Sequence, residues 1–300
     1  MYLSHPGNDN ITIADLKIKD MKASSGAIQF RDLCSGWLIE DVIFENCEAT
    51  SDRGAAININ STATVSLTVR SCTFTQCTVT TPYDGAAIGI DNSSSSLVVE
   101  KCTFYNNEAL STYGDGSAIS IEGAMTSCSI ENSLFYENTS YRYGVIYDDE
   151  GATIMNCTFV DNVSTTSYGG LYLTGGVTSD VTNTIITDNS STDIYVQSGT
   201  LNLSYSIYDT HSGATIGSGN STTSPTLTSA AGDDYSLTSG SEGVDGGTST
   251  GAPSDDIEGT SRGGSPDIGA YELAANQWDG SSSSDWKTAA NWSDNSVPTT

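Results

Sequence analysis

Basic residues are scarce: ten Lys and Arg stand against 37 Asp and Glu in 300 residues, a formal net charge of −27. Between Tyr143 and Ser261 there is no Lys or Arg at all. A polyanion of this kind is repelled by nucleic acid and by anionic lipid, so neither is an expected partner. No apolar run approaches the length of a membrane span, so insertion of this segment into a bilayer is not expected either. Histidine is nearly absent, and His5 and His211 fall outside the regular pattern described next, where they read as solvated rather than catalytic. The seven cysteines are odd in number, and the close pair Cys72 and Cys77 lacks zinc-ligand spacing. They read as free, buried thiols. Charged residues make up only 16% of the chain, and Ser, Thr, Asn and Gly fill the rest of its polar share. That is a composition of short strands and turns, not of helices.

What is present is a repeat. Phe44, Phe74, Phe104, Phe135 and Phe159 are each followed three residues later by Cys or Asn, and Ile18 and Ile186 continue the series on either side. The steps between these positions are 26, 30, 30, 31, 24 and 27 residues. A period of about 28 residues is the mark of a solenoid. Five residues before the aromatic position stand Ile13, Ile39, Val69, Val99, Ile130, Ile154 and Val181, all β-branched. Two before it stand Leu16, Val42, Cys72, Cys102, Ser133, Cys157 and Thr184. Inward positions at −7 and −5, then at −2 and 0, are two period-2 strands whose phase shifts at a corner. The corner position holds Asp15, Asp41, Ser71, Lys101, Asn132, Asn156 and Asn183, mostly residues that tolerate the left-handed conformation. A third strand opens with small residues, as in Gly54-Ala55-Ala56-Ile57 and Gly85-Ala86-Ala87-Ile88. Three short strands per turn describe a parallel β-helix, in which like residues stack about 4.8 Å apart.

The alternation of a Gly-Gly-Ala-Ile-like element with Phe-x-x-Asn, over residues 11–190, resembles the repeat of polymorphic outer membrane proteins. Cys at the Asn position in two copies, and a single complete Gly-Gly pair, depart from that pattern. The resemblance implies an all-β fold: a right-handed, single-stranded, pectate-lyase-like solenoid of about eight coils over residues 1–210. It also implies a surface or secreted passenger region of a Gram-negative bacterium, adhesin-like and non-enzymatic. Such a region meets a glycan or a surface protein of a host or neighbouring cell and is monomeric as a segment. Residues 211–275, with Asp256-Ile257-Glu258-Gly259 and Asp267-Ile268-Gly269-Ala270-Tyr271-Glu272, resemble the closing segment of secreted bacterial β-helix proteins, expected to cap the open end of the coils. Residues 276–300, with Trp278, Trp286 and Trp292, resemble the start of a β-sandwich repeat of large surface proteins. Met1 to Gly7 lack the features of a secretory signal. Together with the abrupt end, this reads as an excerpt of a longer protein and leaves the compartment open.

Two sets of residues could carry function. Tyr83, Asp84, Tyr113, Asp115, Tyr141, Tyr143 and Tyr168 lie in the loops before successive Gly-led strands and would form a Tyr/Asp strip. Exposed aromatics on rigid coils suit stacking on sugar rings or a protein partner; alternatively each Tyr folds down over its own loop. Asp91, Glu122 and Asp149, with Asp148 beside the last, fall in one column on successive coils. Stacked carboxylates could bind calcium or supply the acid/base pair of a carbohydrate-active enzyme, or simply form a solvated acidic edge. Glu137, Asp161 and Asp188 make a second acidic column with the same alternatives. No cofactor is expected beyond that calcium.

Overall fold

The computed structural model describes residues 2–3, 9–80, 84–91, 94–166, 168–273, 282–291 and 297. The chain winds as a right-handed parallel β-helix of about 7 turns, with no α-helix among the described residues. One coil shows the plan: Ile88–Asp91, Ser96–Glu100, Thr103–Tyr105 and the two-residue strand Glu108–Ala109. Coil by coil, the first of these builds a 9-stranded sheet, the next two a 15-stranded sheet, and the last a 6-stranded sheet. The short last strand is an addition to the expected three. Pairing between coils is parallel and in register, so Phe104 lies between Phe74 and Phe135, and Val99 between Val69 and Ile130.

Register turns each sequence column into a physical ladder. The five Phe side chains from Phe44 to Phe159 have no exposed surface. Their rings stack with centroids 4.5–4.9 Å apart and planes within 3–7° of parallel. Both ends of the Phe strand turn through left-handed residues. The anticipated corner, Asp15 to Asn183, has φ of 45–54°. A second corner two residues after the aromatic position, at Asp20, Asn46, Gln76, Asn106, Glu137, Asp161 and Asp188, has φ of 52–57°. Its Asp and Asn are there because a short polar side chain lowers the cost of that conformation. Glu137, Asp161 and Asp188 therefore belong to a backbone turn.

The next residue of each coil points inward. Asn107 Nδ2 donates to Asn138 Oδ1 (2.9 Å), Asn138 Nδ2 to Asn162 Oδ1 (2.9 Å) and Asn162 Nδ2 to Asn189 Oδ1 (2.9 Å). Each amide also donates to the carbonyl of the Phe one coil back, as Asn138 does to Phe104 O (2.9 Å). Each Oδ1 accepts a backbone N–H from that coil, as Asn138 Oδ1 does from Asn107 N (3.1 Å). Asp193 ends the ladder, accepting from Asn189 Nδ2 (3.0 Å) and from Thr210 N (2.8 Å). In the earlier coils Cys77 takes the Asn position, and its thiol faces the equivalent carbonyl, Phe44 O, at 3.9 Å. All seven cysteines are free and buried.

Only the first part of the C-terminal segment lies at the open end of the coils. Residues 211–221 close the last coil: Thr215–Ile216 pairs with the preceding strand, and Ser218 O and Ser221 O accept from Tyr205 N (2.9 Å) and Tyr208 N (3.2 Å). The remainder, including the antiparallel pair Leu227–Ser229 and Asp234–Leu237, lies along the flank of the 15-stranded sheet instead of over its end. The cause is visible on that flank. Leu134, Tyr136, Val160, Ile185 and Ile207 point outward there, and Tyr235, Leu237 and Ile268 bury them. Arg262 pins the strap, donating to Asn132 Oδ1 (2.9 Å), Gly269 O (3.0 Å) and Glu272 Oε2 (3.0 Å). The segment 276–300, read as the start of a sandwich repeat, falls mostly outside the described residues, as does His5.

The Asn ladder and its adjacent corner separate two kinds of polar residue. Asn138→Ala strands donors and acceptors on both adjoining coils and is expected to cost about 3 kcal/mol or more. Asn106→Ala removes only a left-handed preference and is expected to cost about 1 kcal/mol. Urea unfolding of the two variants beside the wild type checks the ranking; equal losses would contradict it.

Candidate functional site

The outer face of the 9-stranded sheet carries residues that alternate with its inward Ile column: Gln29, Asn58, Gly89, Ser120, Tyr147, Tyr172 and Tyr195. Loops fold over this face from one side. Arg53, at the end of one such loop, lies across Gly89, where an added Cβ would sit 2.7 Å from Arg53 Cβ and from its Cγ. The absence of a side chain at Gly89 lets the arginine stem pass. Its guanidinium then reaches the next coil, with Nη1 2.9 Å from Glu122 Oε2 and 3.2 Å from Ile90 O.

Glu122 is the centre of the site. Ser120 Oγ donates to its Oε1 (3.0 Å), and Asp84 is hydrogen-bonded to it from the loop above. Asp84 Oδ1 also accepts the Asp115 N–H (2.9 Å), tying two loops together. Asp115 is buried and clamps Arg142 through two hydrogen bonds, Nε to Oδ1 at 3.1 Å and Nη2 to Oδ2. Arg142 lies over the Tyr143 ring at 4.7 Å and over the Tyr113 ring at 5.4 Å. The result is one connected chain, Arg53–Glu122–Asp84–Asp115–Arg142–Tyr113, spanning successive coils.

Burial raises Asp84 to about 8, helped by its hydrogen bond to Glu122 and the nearby Asp115. Burial also opposes ionisation of Glu122, but the Asp84 hydrogen bond and Arg53 outweigh it and hold this carboxyl below its usual range. One carboxylic acid and one carboxylate thus share a proton at neutral pH, the usual solution when two acids occupy one place. Asp115 is raised by burial despite Arg142, and Asp149 is raised by burial and by Glu122.

The predicted residues divide between two roles. Asp84, Asp115 and Glu122, placed in separate sets by sequence, converge here. Asp91 is the register partner of Glu122, and Asp149 donates its N–H to Ile121 O (3.0 Å), so the backbone column exists. Asp148 is not part of it. Its buried carboxylate accepts N–H groups from Glu150 (3.1 Å), Gly151 (2.9 Å) and Ala152 (2.9 Å) and the Ser179 hydroxyl (2.5 Å), so it holds a chain reversal. Among the described residues no three His, Cys, Asp or Glu side chains converge to hold a metal ion.

The tyrosines are not a row of free rings. Tyr143 stacks on Tyr172 at 4.1 Å and Tyr168 on Tyr195 at 3.9 Å, so their faces are turned onto each other. Tyr143 and Tyr168 thus lie against tyrosines of the next coil, neither as free rings nor over their own loops. Tyr141 is half-buried, and its carbonyl accepts the Thr165 (2.9 Å) and Thr166 (2.8 Å) hydroxyls. Tyr83 lies outside the described residues. Tyr113 is the exception, with 57% of its surface exposed and one face backed by Arg142. Sequence reading missed Arg53 and the Tyr147/Tyr172/Tyr195 column. The latter was visible as the residue after Ile146, Leu171 and Ile194; the former had no signal except Gly89.

The sequence profile of one protein family, described as "Right handed beta helix region", matches residues 3–118 and again 117–230. No curated protein and no solved structure gives a significant match.

The Asp84–Glu122 pair has a pH signature. An acid raised in the folded state binds its proton more tightly there than in the unfolded chain, so stability falls as pH rises from about 4 to about 8. Asp84→Asn, which cannot ionise, is expected to remove on the order of 2 kcal/mol of the loss between pH 6 and 9. Denaturant midpoints of both proteins across that range test it; parallel profiles would contradict the shared proton.

Proposed function

With more than half of its length matched, the chain belongs to the right-handed β-helix family, and on that scaffold we propose an adhesin-like display protein whose loop ridge binds a glycan. The family includes enzymes and non-enzymes, so the fold does not choose an activity; the ridge has to. Its exposed Tyr113 ring carries the reading. A flat apolar ring with a polar tip, held in place from behind by a guanidinium that is itself clamped to a buried carboxylate, loses little freedom on binding. Sugar rings present an apolar face to such a platform and hydroxyls to the polar groups beside it. The strong negative charge and the repeat pattern fit a cell-surface or secreted passenger region of a bacterium, of the polymorphic outer membrane protein type, acting as one segment of a longer exported chain. A surface protein of an adjacent cell is the other partner of this class.

A second reading, a carbohydrate-active enzyme, is favoured by the Asp84–Glu122 pair alone. A proton donor at neutral pH and an ionised carboxylate are the two groups that hydrolysis of a glycosidic bond uses, and a substrate would have to part this pair to about 5 Å or more to sit between them. The active residues would then be Asp84 and Glu122, not the column Asp91/Glu122/Asp149.

The two readings part experimentally. Tyr113→Ala is expected to weaken binding on a glycan array by roughly tenfold, about 1.4 kcal/mol, with an unchanged circular dichroism spectrum. Undiminished binding by the folded variant would remove the ridge from the proposal. Release of reducing ends from a bound glycan, lost on Glu122→Gln, would transfer the protein to the enzyme class.

A further inference from the structure

The centre of the ridge leaves two opposite needs unmet side by side. On the acidic side, Asp115 is committed to Arg142, and Arg53 to Glu122, while Asp91 and Asp149 stand on the flanking coils without arginines of their own among the contacts of the site. From Tyr143 to Ser261 no basic residue offsets them. On the basic side, Arg53 is only 7% exposed and bonds Glu122 through Nη1, yet among the described residues its Nε–H has no acceptor. A buried guanidinium donor without an oxygen is destabilising, and a ligand oxygen would relieve that penalty.

Resting on the glycan reading of the ridge, we propose that this cluster is a subsite for an amino sugar, a glucosamine-type unit of a cationic oligosaccharide. Its ammonium lies between Asp84 and Glu122, a hydroxyl oxygen accepts from Arg53 Nε, and the adjoining sugar ring packs on Tyr113. The ammonium takes the place of the proton that the two carboxyls share, and that proton leaves to solvent; no covalent bond forms or breaks. A cation is also what the surrounding field selects. A uronic-acid polymer meets repulsion from the whole chain, and an N-acetylated sugar brings no charge for the pair to hold.

Isothermal titration at pH 7 with an unacetylated glucosamine tetramer, its N-acetylated counterpart and a galacturonic acid tetramer tests the assignment. The amino tetramer is expected to bind roughly tenfold more tightly than the acetylated one, and the uronate not at all. Repeating the titration in two buffers of different ionisation enthalpy is expected to reveal the release of about one proton per amino tetramer bound. Asp84→Asn is expected to abolish that release and the preference for the amine, as is Glu122→Gln, each checked for folding by circular dichroism. Equal affinity for the acetylated tetramer, or binding without proton release, overturns the amino-sugar assignment and leaves the ridge as a glycan site. Tighter binding of a lysine-rich peptide than of the amino tetramer overturns it in favour of a protein partner. If no tetramer binds and Tyr113→Ala leaves array binding unchanged, the ridge reading itself falls with it.

Discussion

Stacking in register is the constraint on which everything else in this molecule depends. Each coil is too thin to bury its own apolar face, so every inward residue must find its match one rung away. Phe over Phe, β-branched over β-branched and Asn over Asn meet that requirement in three different ways. Apolar ladders exclude water. The Asn ladder satisfies the backbone at a bend, where the sheets cannot. Its amides reach carbonyls and N–H groups on the preceding coil that a turn would otherwise leave open. A ladder of this kind tolerates Cys47 and Cys77 at two rungs because a thiol still offers a weak donor to the equivalent carbonyl. It needs an end, and Asp193 supplies one by accepting from both the last Asn and the closing turn.

The same constraint explains which parts of the fold were legible in the sequence. A column repeated in every coil averages over its exceptions, so the Phe and β-branched ladders and the first left-handed corner could be read directly. The second corner was equally regular in Asp20, Asn46 and Asn106, but its later members are acidic. Acidic residues in a very acidic chain look like surface charge. Features that occur once could not be read from the repeat. Leu134, Tyr136 and Val160 interrupt an otherwise polar outer position, and that interruption marks where the strap from the C-terminal segment lies. Asp148 sits one residue from an acidic column, and a strand's period of two turns that single step into the difference between solvent and core.

The site was legible only in fragments for a related reason. Its members come from loops and strands that the coil repeat brings together across more than one period. Asp84 and Asp115 belong to loops, Glu122 to a strand, and Arg53 reaches over a glycine to join them. A periodic reading places residues in columns along the axis, whereas this cluster runs obliquely across columns. The tyrosines show the converse case. Their regular spacing left open a row of free rings or rings folded down, but side chains from two columns interleave, and Tyr143 and Tyr168 turn a ring face onto Tyr172 and Tyr195.

What the scaffold contributes to recognition is rigidity. A ridge built on hydrogen-bonded coils holds Tyr113, Arg142 and the carboxyl pair at fixed separations, because each is tied to the next by a charged hydrogen bond or a ring contact. Burying this many charges without a gain elsewhere would weaken a protein already under strong self-repulsion. Part of that cost is removed by the shared proton between Asp84 and Glu122, which cancels one charge. The pairs with Arg53 and Arg142 offset part of the rest. A site whose internal balance depends on a proton keeps its carboxyls together only while that proton is held. The fold thus places a shared proton at the centre of a ridge whose outermost ring is Tyr113.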